Sequence, residues 1–221
     1  MTPEIMTFSA YMPTIKEVFL GTKYVLNGRN NENYKLFNDA YDDSVTNSSC
    51  INDICNFIVG KGLVNKNQNG KNPNIYISKD DIGLMVLDFE KQGATYAQVV
   101  WYGGKPVKIF HIPIENTGLN VNTDMQINGY WYCYEWQRQF RFTPQFFNLF
   151  DGTPPDGGNG TQMFRIVRPS NEPLFVKPHW FPALRWAQDE GLMAQHSFSD
   201  ISTGFSGQKV INWLGGRGLT E

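Results

Sequence analysis

Three cysteines and three histidines are the side chains of this chain that could act as nucleophiles, bases or metal ligands. They are Cys50, Cys55, Cys133, His111, His179 and His196. No histidine is spaced from a second histidine or from a cysteine as in a helical or knuckle metal site, and there is no C-x-x-C motif. We therefore predict no metal, no cofactor and no catalytic residue. A pair made from Cys50 or Cys133 with His111 or His179 remains an open alternative, because such a nucleophile can be assembled in space.

Glycine clusters and carboxylates are the next candidates for chemistry. GGNGT at residues 157–161 and GGRGLT at residues 215–220 resemble phosphate-binding loops in composition, but neither has the lysine or the glycine spacing of a nucleotide motif. We predict turns at both. Asp80 and Asp81 fall in the first turn of a predicted helix, where they stabilise the helix dipole, and Asp88 is predicted to lie on an exposed face. Paired catalytic carboxylates leave no sequence signature, so that alternative also stays open.

Aromatic side chains are concentrated at residues 130–142, YWYCYEWQRQFRF, with Arg138 and Arg141 between them. Such a segment could stack the bases of a single nucleic-acid strand. More often it forms a sheet core or a subunit contact, and that is our interpretation here. Single-stranded nucleic-acid binding is kept as an alternative.

Composition limits the functions that these residues can serve. The 221 residues suffice for one sizeable core, and 41% of them are hydrophobic. Nineteen basic and 21 acidic side chains give a formal charge of −2, which excludes the strongly basic footprint of a protein that grips nucleic acid independently of sequence. An odd number of cysteines excludes a disulfide framework, and no stretch approaches the roughly 20 apolar residues of a membrane span.

Helical periodicity dominates the first half of the chain and β patterning the middle. Apolar spacing predicts a helix from Tyr34, a second stripe at Ile51, Ile54, Cys55 and Ile58 that ends at Gly60, and a third helix from Ser78 to Gly93. Cys55 is predicted to be a small core residue. Residues 94–102 and 106–112 predict a hairpin, and further strands are predicted within 129–136, at 139–142 and at 161–169. The loop at 151–160 should have little regular structure.

A long helix is predicted from Pro182 to about Thr203. One face of it carries residues spaced alternately three and four apart, namely Leu184, Ala187, Gly191, Ala194, Phe198 and Ile201. This seam consists largely of small residues, which allow close approach of a neighbouring backbone, and we predict that it is a subunit interface. A strand at 208–214 should follow, and because Thr220 and Glu221 would begin another helix, we expect the chain to be a fragment.

Three segments, in their order, resemble the portal proteins of tailed bacteriophages. Residues 31–63 resemble an early helical stretch with a polar turn and a G-x-G-L exit. Residues 79–120 resemble the following helix, glycine and hairpin leading to Ile-Pro, and residues 177–221 resemble a proline-aromatic helix start, an acid-bearing helix, a threonine-glycine-phenylalanine exit and a glycine turn. The last segment is the most specific of the three.

The resemblance implies an α+β fold: a portal-like wing of helices and an antiparallel β-rich sheet, followed by a long stem-like helix. It divides the chain into an N-terminal arm at 1–33, a wing-like domain at 34–181, a stem-like helix at 182–203 and the start of a clip-like segment at 204–221. The rest of the clip, the second stem helix and any crown would lie in the remainder of a longer protein.

By the same resemblance the protein is a structural subunit without enzymatic activity. Portals form a homo-oligomeric ring of twelve subunits at a capsid vertex, through which double-stranded DNA is packaged and ejected without sequence specificity. The expected partners are the major capsid protein, the large subunit of terminase and a head-tail adaptor, with no membrane. The expected location is the virion, and the host cytoplasm during assembly. The alternatives are a small cytoplasmic α+β enzyme or the single-stranded nucleic-acid binder.

Overall fold

Four α-helices and one mixed sheet make up the described part of the chain, which in this computed structural model comprises residues 18–20, 24–64, 73–172 and 174–202. The helices are α1 (Glu32–Asp43), α2 (Val45–Val59), α3 (Lys79–Gln92) and α4 (Leu184–Ser202). The strands are β1 (Val18–Leu20), β2 (Tyr24–Leu26), β3 (Ala94–Tyr102), β4 (Lys105–Ile112), β5 (Thr117–Val121), β6 (Ile127–Tyr132), β7 (Gln145–Leu149) and β8 (Gly160–Val167). The predicted α+β class is confirmed.

The eight described strands form one open sheet in the order β1-β2-β5-β6-β7-β8-β3-β4. All neighbouring strands are antiparallel except β7 and β8, which run parallel. The predicted hairpin is confirmed as β3 and β4, joined at Tyr102 and Lys105. Gly103 and Gly104 have φ of 57° and 72°, the left-handed backbone that a tight two-residue hairpin turn requires.

Strand β3 lies in the middle of the core because both of its faces are covered. Successive strand residues point to opposite faces of a sheet. Ala97 packs in one cluster with Met85 of α3, whereas Tyr96 belongs to the main cluster, which also contains Phe37 of α1 and Leu184 of α4. The helices at the start and at the end of the chain therefore share a single core with the sheet.

Residues 24–33 belong to this core and are not part of a separate arm, which corrects the arm expected at residues 1–33. Val25 and Leu26 are buried, and Val25 pairs with Leu119 of β5. The side chain of Asn31 is also buried, and its Nδ2 donates to the carbonyl oxygens of Glu115 and Thr117, at 2.7 and 3.0 Å. The polar run that predicted only a turn thus supplies buried hydrogen bonds. Residues 1–17 lie outside the described part.

The strand predicted at residues 139–142 is wrong. The backbone N–H groups of Arg141 and Phe142 both donate to the carbonyl of Arg138, so this segment closes a local turn after the short 3-10 helix Trp136–Arg138. Four strands, β1, β2, β5 and β7, were not predicted, because β1 and β2 have three residues each, and β5 and β7 have five residues each and an incomplete apolar alternation. The strand predicted at 208–214 and the clip-like segment at 204–221 lie outside the described residues.

Helix ends follow the predicted caps. The hydroxyl of Ser78 accepts from the backbone N–H of Asp81 at the start of α3, and Gly93 ends α3 in a left-handed conformation with φ of 84°. Gly60 follows the last residue of α2. The stripe predicted on α2 is only half buried, since Ile54 and Ile58 are exposed.

Cys55 is buried in the main core, as the sequence predicts, with 8% of its surface exposed. Burial raises the pKa of its thiol from the usual value of 9.0 to about 11. At pH 8 such a thiol is only about 0.1% thiolate, the form that reacts. We therefore expect a thiol reagent to label exposed Cys50 rapidly and Cys55 slowly in the native protein.

The matched variant for this measurement is Cys50→Ser, which leaves Cys55 and Cys133, both of them buried. Its labelling should lose the fast phase and become rapid only in denaturant. Fast labelling of native Cys50→Ser protein would contradict the placement of these thiols in the core.

Candidate assembly surface on helix α4

Helix α4 begins inside the core and not at its surface. A 3-10 turn, Phe181–Ala183, contains Pro182, whose fixed φ suits a first helical turn, and it leads directly into α4. The predicted start of the helix is confirmed. Leu184 and Ala187 lie in the main cluster, with 3% of each exposed. The first two turns of α4 are therefore anchored to the α+β domain.

Gly191 marks the closest approach of α4 to the end of α1. A β-carbon placed on Gly191 would lie 2.7 Å from the Cβ of Asp43 and 3.4 Å from its carbonyl oxygen. Carbon atoms in ordinary contact are about 3.5–4.0 Å apart, so no side chain fits between the two helices here. The seam therefore needs glycine at this position for a contact within one chain.

Glu190, next to Gly191, holds α4 against the junction of α1 and α2. Its carboxylate accepts from the hydroxyl of Ser44, and also from the backbone N–H and the hydroxyl of Thr46 at 3.3 and 3.1 Å. Ser44 is at the same time the N-cap of α2, where its Oγ accepts from the backbone N–H of Asn47 at 3.0 Å. The hydrogen bond from Ser44 is the main reason that the pKa of Glu190 lies below its usual value of 4.5.

Beyond Gly191, α4 projects from the α+β domain. Every side chain from Leu192 to Ser199 is exposed. Among them Met193 and Phe198 expose 64% and 74% of their surface, and Ile201 in the next turn exposes 68%. Because residues three and four apart share a helix face, Phe198 and Ile201 continue the face that α1 covers nearer the start of the helix.

The predicted seam is thus divided into two halves. Three of its residues, Leu184, Ala187 and Gly191, are buried within the chain. The other three, Ala194, Phe198 and Ile201, are exposed, and they form what we name the distal face of α4. The subunit interface stays a prediction, and within this seam only the distal face is accessible to another molecule. The role of α4 as a stem helix likewise stays a prediction.

The sequence did not predict that Glu190 and Ser44 hold α4 against the junction of α1 and α2. A capping serine before a helix is a recognisable signal, and Ser44 could have been found from it. Its partner is 146 positions away in the chain, and no local pattern reveals such a pairing.

Two of the histidines pair with carboxylates. His111 Nε2 lies 2.7 Å from Asp88 Oδ2, and the backbone N–H of Ile114 also donates to Asp88 Oδ2, at 3.3 Å. Asp88 is therefore a half-buried link between α3 and β4, which corrects its predicted place on an exposed face. His179 Nδ1 lies 3.4 Å from the buried carboxylate of Glu90.

The cysteines are not paired with these histidines. The thiol of Cys133 is buried and donates to the carbonyl oxygens of Glu135 and Phe142, at 3.4 and 3.2 Å. Burial raises the pKa of that thiol. Within the described residues no group of three or more histidine, cysteine and acidic side chains could hold a metal ion.

The aromatic segment at 130–142 divides between core and surface. Tyr130, Cys133 and Trp136 are buried, which agrees with the interpretation as a sheet core. Tyr134 and Phe140 are exposed, the latter by 90%. The guanidinium of Arg141 lies over the ring of Phe142, 5.7 Å from its centre.

Comparison with known proteins adds no relative to this description. No protein-family model matches the chain, and no significant match to it was found among curated proteins. The resemblance to portal proteins therefore depends on the sequence segments alone. In the described residues no helix combines the length and the apolar character needed to cross a membrane.

The contact at Gly191 predicts a destabilising Gly191→Ala variant. Overpacking costs about 1–3 kcal/mol, against a gain of roughly 1 kcal/mol in helix propensity, so we expect the free energy of unfolding to fall by up to about 2 kcal/mol. The matched control is Gly83→Ala in α3, where an added β-carbon would meet no atom within 4 Å. The control should be stabilised by about 0.5–1 kcal/mol. Urea unfolding measures both, and equal effects would contradict the close approach of α4 to α1.

The hydrogen bonds of Glu190 predict a pH-dependent contribution to stability. Because its folded pKa lies below 4.5, the contribution is complete above that pH and is lost as the pH falls through the folded pKa. Glu190→Gln should be less stable than the parent at pH 7, and the gap in urea midpoints should narrow towards pH 3. A gap that stays constant with pH would show that the carboxylate charge plays no part.

Proposed function

We propose that this chain forms the wing and first stem helix of a phage portal subunit. Copies of it assemble into a ring at a capsid vertex, and double-stranded DNA passes through the centre during packaging and ejection. The protein is a structural component of the virion and has no catalytic role of its own.

The observation that carries this proposal is the division of α4 into an anchored half and a projecting half. A helix that packs only on its own domain buries its apolar face along its whole length. Here Phe198 and Ile201 stay exposed while Leu184, on the same side of the helix, is in the core. Burying the distal face against another copy would remove this apolar surface from water.

A ring explains how one helix can serve as a repeated contact. In a closed ring each copy uses two different surfaces, one for each neighbour, and the same contact recurs at every interface. The distal face supplies one surface of this kind. The resemblance to portals suggests twelve copies.

The net charge of the chain favours passage of DNA through the ring over tight binding of DNA to it. Each basic side chain that neutralises a phosphate releases counterions and strengthens binding. A chain with a formal charge of −2 has few unopposed basic groups for that purpose. DNA could therefore slide past the ring without being held.

The partners follow from the resemblance to portals. Terminase, whose large subunit supplies the energy for packaging, would dock on the clip, and the major capsid protein and a head-tail adaptor would surround the ring. The subunit would be made in the host cytoplasm and would end in the virion.

Exposed aromatic side chains favour one second candidate, the binding of single-stranded nucleic acid. Tyr134 and Phe140 are exposed beside Arg138 and Arg141, and such a set can stack bases. Steep salt dependence of oligonucleotide binding would favour this function, and no binding at low salt would remove it. The enzyme alternative has less support, because His111 and His179 pair with carboxylates and the thiol of Cys133 donates to backbone carbonyls.

The proposed interface predicts that Ala194→Glu abolishes assembly. The substitution would bury an unpaired charge between subunits, while glutamate is a good helix former and Ala194 is exposed in the single chain. We expect analytical ultracentrifugation to show rings for the parent chain and monomers for the variant. Helical circular dichroism should be unchanged.

The matched control is Leu192→Glu, which adds the same charge at an exposed position about 200° around the helix from Ala194, away from the distal face. It should leave assembly intact. Equal loss of rings in both variants would point to net charge as the cause, and unfolding of Ala194→Glu would place Ala194 in the core of the subunit. Either result would refute the interface.

A further inference from the structure

A half-open cavity of about 450 Å³ lies between α3 and the sheet. Its walls come from the end of α2, from α3 and from strands β3, β4 and β8, and they are almost entirely apolar. Ile58, Leu63 and Ile166 line the mouth, and each is about half exposed. Cavities of 300–1,000 Å³ with apolar walls and a few polar groups are typical of small-molecule sites.

One polar group in the wall of this cavity has no partner. Thr95 is 3% exposed, and its hydroxyl makes no hydrogen bond in the described structure. An unpaired buried hydroxyl costs free energy, and such groups in native proteins need an explanation. A ligand that ends in a hydrogen-bonding group would supply the missing partner.

Glu90 is the charged residue in the wall, and its charge is already compensated. Its carboxylate accepts from Arg168 Nη2 at 2.9 Å and lies 3.4 Å from His179 Nδ1. A cationic ligand would compete with these two partners, and an anionic ligand would be repelled by the carboxylate. The head group that fits best is therefore neutral.

The residues that directly follow Val64 in the sequence have no apolar side chain that could occupy the cavity. Residues 65–72, which follow Leu63 and Val64, read NKNQNGKN and contain no apolar side chain. The volume is enough for a separate molecule of up to about fifteen non-hydrogen atoms, since each water-sized group takes about 30 Å³.

We propose that this cavity binds a small amphiphile, an unbranched apolar chain ending in a neutral hydroxyl or amide that bonds to Thr95. The apolar chain lies between α3 and the sheet, and the head group pairs with the threonine hydroxyl. This proposal does not depend on ring assembly, because the cavity is formed within one chain.

The test uses 1-octanol as the probe and isothermal titration calorimetry as the measurement. We expect 1-octanol to bind the parent chain and the monomeric Ala194→Glu variant equally. Val86→Trp fills the cavity from α3, and Ile166→Trp covers its mouth, so both should abolish binding. Leu84→Trp is the matched control, because Leu84 is exposed and does not line this cavity. It should bind as the parent does.

Thr95→Val tests the head group separately. It removes the hydroxyl at nearly constant shape and should weaken 1-octanol binding roughly three- to tenfold, the range expected for one neutral hydrogen bond. Binding of 1-chloroheptane, which has no such head group, should be unchanged. The melting temperature of the ligand-free variant should not fall, because the lost hydroxyl has no partner.

Two results would overturn the proposal. One is the absence of 1-octanol binding to the parent chain; if Val86→Trp also loses its rings, the cavity instead binds a side chain of a neighbouring subunit. The other is full binding by folded Val86→Trp and Ile166→Trp proteins. Failure of Ala194→Glu to dissociate rings would affect only the proposed function.

Discussion

The close approach of α4 to the end of α1 fixes the position of α4 relative to the rest of the domain. At Gly191 there is no room for a side chain beside Asp43, and one residue earlier Glu190 accepts hydrogen bonds from Ser44 and Thr46. Steric fit and hydrogen bonding act at the same point, where α1 ends and α2 begins. The direction in which α4 leaves the α+β domain is therefore set by its contacts with α1 and α2, and the distal face is held away from the core of the domain.

The packing of the first turns of α4 holds the projecting half of the helix in one position relative to the domain. Leu184 and Ala187 share the main core with Phe37 of α1 and with Tyr96 in the middle of the sheet. A displacement of α4 would therefore disturb the packing of both the helices and the sheet, because close-packed interiors transmit strain. A subunit of a ring needs this property, since the contacts between copies must recur with the same geometry around a closed circle.

The α+β class, the third helix with its caps and the glycine hairpin could be predicted because each depends on short-range patterns. The burial of residues 24–33 could not, since Asn31 looks like a turn residue and its partners, Glu115 and Thr117, are more than 80 positions away. The seam on α4 was found from its spacing alone. Spacing reports which residues share a face and says nothing about what covers that face, so the division at Gly191 between a contact within the chain and an exposed surface needed the structure.

Cryo-electron microscopy of the purified chain, at concentrations that allow assembly, would show whether α4 joins neighbouring copies. We expect closed rings with rotational symmetry in which the distal half of α4 contacts a neighbouring copy and Phe198 is buried. A monomer at every concentration would contradict this expectation. So would a ring in which the distal face of α4 stays exposed to solvent while other surfaces make the contacts.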